Sequence, residues 1–249
     1  MDTLIDKISD LSLKTTNKTN SIIIIQKWFR GWCVRKRILP FILYKVQKYL
    51  KSKKYVFSNQ NNDGRINSSL DEDEIIKLLM EKFNNVIKIP KTRMWYDILL
   101  LDKTYGWLPI NIKTTTMMTS DNTGNLTMCV YSYTDIQLSL DLSYENGNMA
   151  VILFNKLSKR KYNRKLHKDY YFIVLNKNSS DDIIINSIKG LISLTANVNN
   201  LPFQVCWNKN RVYHYDTIEN KVSMFIKCMQ KPKPSWKETF LNNMRSIKA

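Results

Sequence analysis

Three side chains near the middle of the chain have the types and spacing for hydrolytic chemistry. Asp97, Asn111 and Lys113 lie within WYDILLLDKTYGWLPINIKTTT (Trp95 to Thr116). The stretch reads as a β-hairpin turning at Thr104-Tyr105-Gly106, with Gly106 suited to the left-handed position of a three-residue loop. Side chains alternate across a strand, so Asn111 and Lys113 share one face and Ile110 and Ile112 take the other. The turn predicts a register that sets Asp97 opposite Lys113 and Leu99 opposite Asn111. Directly opposed residues are about 5 Å apart at Cβ, so an acid, an amide and an amine converge at one end of the hairpin.

Phosphodiester cleavage needs that kind of set: a positioned water, charge neutralisation at phosphate and stabilisation of the departing oxygen. Asp97, with a backbone carbonyl of the 111–113 strand, is suited to hold Mg²⁺, a hard cation that takes one or two carboxylates and keeps several waters. Mn²⁺ would substitute. Lys113 would orient or help deprotonate the attacking water, and Asn111 would offer an amide oxygen. The plainer alternative is a cross-strand Asp97–Lys113 ion pair on a solvated face, worth roughly 0.2–1 kcal/mol.

Positioning falls to the flanking elements. DEDEIIKLLMEKF (Asp71 to Phe83) has an acidic first turn and apolar Ile75, Leu78, Leu79 and Phe83 at helical spacing. NVIKIP (Asn85 to Pro90) reads as a short strand, and NLTMCVYSYT (Asn125 to Thr134) as another. GNMAVILFNKLSKRKYNRKL is a basic helix candidate, DYYFIVLNK (Asp169 to Lys177) a buried strand and LPFQVCW (Leu201 to Trp207) a further strand. PSWKETFLNNM opens a terminal helix with a capping box, Ser235 and Glu238. The expected fold is α/β, a mixed α+β sheet flanked by helices, with a basic helical appendage at residues 1–57, a polar linker at 58–70 and the main domain at 71–249.

The hairpin resembles the PD-(D/E)xK nuclease superfamily, whose core is a helix, a strand and a hairpin carrying an aspartate and a (D/E)xK triplet. Asp97 matches the aspartate and Lys113 the lysine, while Asn111 stands where the family has Asp or Glu and Tyr96-Asp97 replaces Pro-Asp. Over roughly residues 70–245 the chain looks like restriction endonuclease-like proteins of large DNA viruses. The resemblance implies a restriction-endonuclease-like core, a Mg²⁺-dependent endonuclease acting on double-stranded DNA, and an additional helix glutamate, Glu74 or Glu81. It also implies a host-cytoplasmic or virion location, and a homodimer if both strands are cut. A decayed nuclease that only binds DNA is the alternative, with Asn111 as its evidence.

The amino-terminal region raises a second theme. IQKWFRGWCVR (Ile25 to Arg35) has the spacing IQxxxRGxxxR and resembles the IQ motif bound by calmodulin-like proteins. It is a basic amphipathic helix with bulky anchors, equally suited to phosphate contact through Arg30 and Arg35, or to packing on its own domain. Residues 1–54 hold 13 Lys/Arg against 3 Asp/Glu, and a helix is expected from about Thr19 to Leu50, broken or kinked at Pro40. Lys231 and Lys233, in the proline-stiffened QKPKPSWK, are candidate phosphate contacts or a solvated linker. Asn122 and Asn125, in TSDNTGN, are candidates for reading adenine edges or for polar turn chemistry.

Composition agrees with a polyanionic partner. The 249 residues carry a net charge of +18, and 43% are hydrophobic, enough for a sizeable core. Cys33, Cys129, Cys206 and Cys228 are far apart and only His167 and His214 accompany them, which argues against a zinc site and for a reducing, cytoplasmic compartment. The longest aliphatic run, Ile22 to Ile25, is too short to span a membrane.

Overall fold

The chain divides into two units, Met1–Ile38 and Leu39–Ala249. This computed structural model describes residues 25, 39–53, 57, 64–91, 94–138, 140, 146–165, 168–196 and 203–229. In the first unit only Ile25 is among them, and it is helical and exposed. Beyond Ile25, the IQ-like segment with Arg30 and Arg35 lies outside the described residues, as do Lys231, Lys233 and the Ser235–Glu238 capping box.

The second unit is built on a five-stranded mixed sheet. Its strands are β1 (Ile87–Lys88), β2 (Ile98–Asp102), β3 (Gly106–Thr115), β5 (Tyr171–Asn176) and β6 (Ser179–Ser187), in spatial order β1-β2-β3-β5-β6. β3 and β5 run parallel and the other neighbours antiparallel. A smaller sheet, β4-β8-β7, comprises β4 (Ser120–Asn122), β7 (Thr195–Ala196) and β8 (Phe203–Cys206). The mixed α+β architecture is therefore as expected.

Alternation in β3 sorts the core into two. Ile110 and Ile112 join Ile98, Leu100, Tyr171 and Ile173 on one face. On that face pack helices α1 (Phe41–Lys51) and α2 (Gly64–Phe83), through Leu43, Val46 and Leu50 of α1 and Ile75 and Leu79 of α2. Full burial of each such side chain contributes roughly 1.5–3 kcal/mol. The opposite face carries Leu99, Phe172 and Val174, packed with α3 (Leu126–Tyr133), α4 (Asn146–Ser158) and α5 (Ile218–Met229).

Several elements differ from the sequence reading. Asn125 to Thr134, expected as a strand, contains helix α3. The Asn125 side chain accepts from Met128 N at 2.9 Å and caps it, and nearly every side chain is buried, which erases the helical period from the sequence. Residues 64–70, read as linker, are the first turns of α2, whose polar Asn67 and Asp71 are buried rather than solvated. Pro40 does interrupt the chain, as the N-cap of α1.

Candidate functional site

The hairpin turn sets the register, and it is shifted from the expected one. Asp102 Oδ1 accepts Thr104 N and Tyr105 N at 2.8 and 3.1 Å, so the loop is Lys103-Thr104-Tyr105, and Gly106, at φ 75°, pairs with Asp102. Ile98 then pairs with Ile110 and Leu99 with Pro109, not Asn111. A two-residue slip preserves the face of every side chain, so Asn111 and Lys113 still share one face, but Asp97 now stands beside Asn111. Lys113, expected opposite Asp97, lies one pleat further on.

This register leaves one edge of β3 open. β2 ends its pairing where Asp97 N donates to Ile110 O at 2.9 Å. Past that point the Asp97 carboxylate replaces the missing strand: its Oδ2 accepts Ile112 N at 2.7 Å and Asn111 Nδ2 at 2.8 Å. One pleat along, about 6.7 Å by strand rise, the Thr114 backbone N–H lies close enough to the Glu72 carboxylate of α2 to lower its pKa. Glu72 Oε1 also meets Lys113 Nζ at 3.4 Å, with side-chain exposures of 21% and 27%. A buried aromatic platform fixes the approach to Asp97. Trp95 stacks on Tyr170 at 5.6 Å, Tyr170 Oη donates to Trp95 O at 2.8 Å, and Tyr96 Oη donates to Leu140 O at 2.6 Å.

The site is electrostatically short of positive charge. Burial pushes the Asp97 carboxyl above its ordinary range, against the lowering pull of Lys113 and the Ile112 N–H, and Asp73 adds to the rise. Glu72 is likewise raised by burial first, then lowered by Lys113 and raised again by Asp97. Two partly desolvated carboxylates sharing one ammonium favour a further cation. Asn111 Oδ1 points the same way, being buried without a hydrogen-bond partner while Nδ2 holds Asp97. Among the described residues no three His, Cys, Asp or Glu side chains gather as a metal site. Two carboxylates and an amide oxygen still suit Mg²⁺, which keeps most of its waters. Asp97, Glu72 and Asn111 would hold it.

Glu74 and Glu81 stand exposed on α2. The helix acid that reaches the site is Glu72. The signal was available, since Asp71 and Glu72 lie four and three residues before buried Ile75 and border its stripe; Asp71 pairs with Lys177 at 3.1 Å. Asp121, on β4, was also missed. Burial raises its pKa most, while Thr115 and then Lys113 lower it. Asn125 is committed to its cap, and Asn122 stands exposed on β4, accepting Gln204 Nε2 at 2.7 Å.

Comparison with known proteins speaks to the other unit. A family model described as the IQ calmodulin-binding motif matches residues 19–39. The IQ resemblance therefore stands. The IQ segment is a short part of the chain and lies almost wholly outside the described residues. No curated protein matches the chain.

Proposed function

We propose that the second unit is a Mg²⁺-dependent DNA endonuclease with a restriction-endonuclease-like core. The observation that carries this reading is the gathering of Asp97, Asn111, Lys113 and Glu72 at the open edge of β3. The order α2, β1, hairpin β2–β3 also follows the helix, strand and hairpin of the PD-(D/E)xK resemblance. Bound Mg²⁺ would supply charge neutralisation at the phosphate and a more acidic water. Asp97 and Glu72 would hold the ion through carboxylate oxygens, with Asn111 Oδ1 as a neutral third donor. Lys113, which meets Glu72 at 3.4 Å, would orient the attacking water through its ammonium. The high positive charge supports phosphate-backbone contact by surrounding lysines. Incubating the purified chain with supercoiled plasmid tests this: nicking with Mg²⁺ or Mn²⁺ and none in EDTA is expected, and cleavage undiminished in EDTA removes the metal-nuclease reading.

The family-model match favours a second, compatible role for the first unit. Residues 19–39 would bind a calmodulin-like protein as a basic amphipathic helix laid in an apolar groove. Gel-filtration of the chain with calmodulin, with and without Ca²⁺, should give co-elution; separate elution in both conditions counts against it.

A further inference from the structure

Helix α1 has a buried face and an outward one, and their chemistry differs sharply. Ile42, Leu43, Val46 and Leu50 are buried, while Phe41, Tyr44, Lys45, Lys48 and Lys51 are exposed. The outward residues recur at the three- and four-residue spacing of one helical stripe. Phe41 is 68% exposed and Tyr44 41%, more than core packing accounts for. The helix contains no acidic residue, and the Lys45 ammonium stands 5.0 Å from the Phe41 ring centroid. The stripe combines two bulky anchors with three cations and fits an acidic surface containing an apolar recess.

The stripe stands apart from Asp97, Asn111 and Lys113. α1 packs on the Ile110–Ile112 face, whereas Asn111 and Lys113 lie on the other side of the sheet. Ile42 N donates to Asp102 Oδ2 at 3.3 Å, and Gln47 Nε2 to Ile183 O at 2.7 Å. These bonds stretch α1 from β2 to β6 and root it at the hairpin turn, five residues along β2 from Asp97, or about 17 Å. The residues matching the IQ motif end at Leu39, two positions before α1 begins.

We propose that the outward face of α1 is a docking surface for an acidic EF-hand protein of calmodulin type. Phe41 and Tyr44 enter its apolar groove and Lys45, Lys48 and Lys51 meet the acidic rim. The proposal rests on the calmodulin-type partner reading of residues 19–39. Because the buried face of α1 is held by the sheet, the partner covers the helix from one side.

The test is calorimetric titration of the full chain with calmodulin in Ca²⁺, alongside a duplex-DNA gel shift. Phe41→Ala with Tyr44→Ala should weaken calmodulin binding about tenfold, with DNA affinity and thermal melting unchanged. Lys45→Glu with Lys48→Glu, which removes no apolar contact, should weaken it in a salt-dependent way. Gln26→Ala with Arg30→Ala should weaken it independently. If only the last pair affects binding, the α1 surface is overturned and the IQ reading survives; if the wild type does not bind, both fall. Loss of DNA affinity with calmodulin affinity intact makes the stripe a nucleic-acid contact, which also overturns the proposal.

Discussion

Two aspartates near the main sheet each feel a neighbouring lysine, Asp169 that of Lys189 and Asp97 that of Lys113, and the two arrangements are built to opposite ends. Asp169 is buried beside Lys189, and its Oδ1 accepts Tyr170 N at 2.8 Å and Lys189 N at 3.3 Å. Lys189 Nζ in turn donates to the carbonyls of Lys168, Lys165 and Asn163 at 2.8, 3.1 and 3.5 Å. That ammonium has all three protons engaged. Asp97 and Lys113 have the same residue types in an unfinished arrangement, with Lys113 about a quarter exposed, its Glu72 contact at 3.4 Å and Asn111 Oδ1 unmatched. A saturated buried pair fixes loops; a partly exposed one with unused donors and acceptors can bind something that arrives later.

Substitutions should separate the two, and the largest effect belongs to the saturated pair. Lys189→Ala strands Asp169 and orphans three carbonyls, so it should cost roughly 3–5 kcal/mol of stability, seen as a lower urea midpoint. A near-wild-type midpoint would break the contrast. Lys113→Ala should reverse the pattern, lowering plasmid cleavage about 10²-fold with a smaller drop in midpoint than Lys189→Ala, since Lys113 is about a quarter exposed and its Glu72 contact is long.

The pair at Asp169 also predicts a pH dependence. Burial raises its pKa from 3.8 to about 6, with Lys189 and Ser187 pulling the other way. Between those values the native protein retains a proton that the unfolded chain has released, so this group's contribution to stability falls as pH rises from 4 to 6. Asn mimics the protonated acid and does not titrate. The stability advantage of wild type over Asp169→Asn should therefore shrink by roughly 1–3 kcal/mol between pH 4 and 7. A growing advantage would contradict the burial argument. The smallest effect is expected at Asn125→Ala, about 1 kcal/mol for a lost helix cap, with DNA affinity unchanged in a gel shift.

Much of this was legible in the sequence where one period dominates. The alternation around Ile110–Ile112 gave the right face for Asn111 and Lys113, and the apolar run at Tyr171–Asn176 gave strand β5, which lies between β3 and β6. Where both faces are buried, as in Leu126–Tyr133, no period survives and β-branched and aromatic residues misread as strand. The register failed because Asp102 closes the turn with its side chain, moving Gly106 out of the loop and into a strand pair. Glu72 was missed among four consecutive acids because its role depends on β2 ending early and exposing the Thr114 N–H, a tertiary fact. β6 was not anticipated, since its first four residues, Ser179 to Asp182, are all polar.

The most direct measurement compares wild type with Asp97→Asn in Mg²⁺-dependent plasmid cleavage and in thermal melting. The substitution keeps an acceptor for the Ile112 N–H and removes the charge that would hold the cation. The account predicts cleavage by wild type, loss of cleavage in the variant and closely similar melting. An Asp97→Asn protein that cuts as fast as wild type would contradict it.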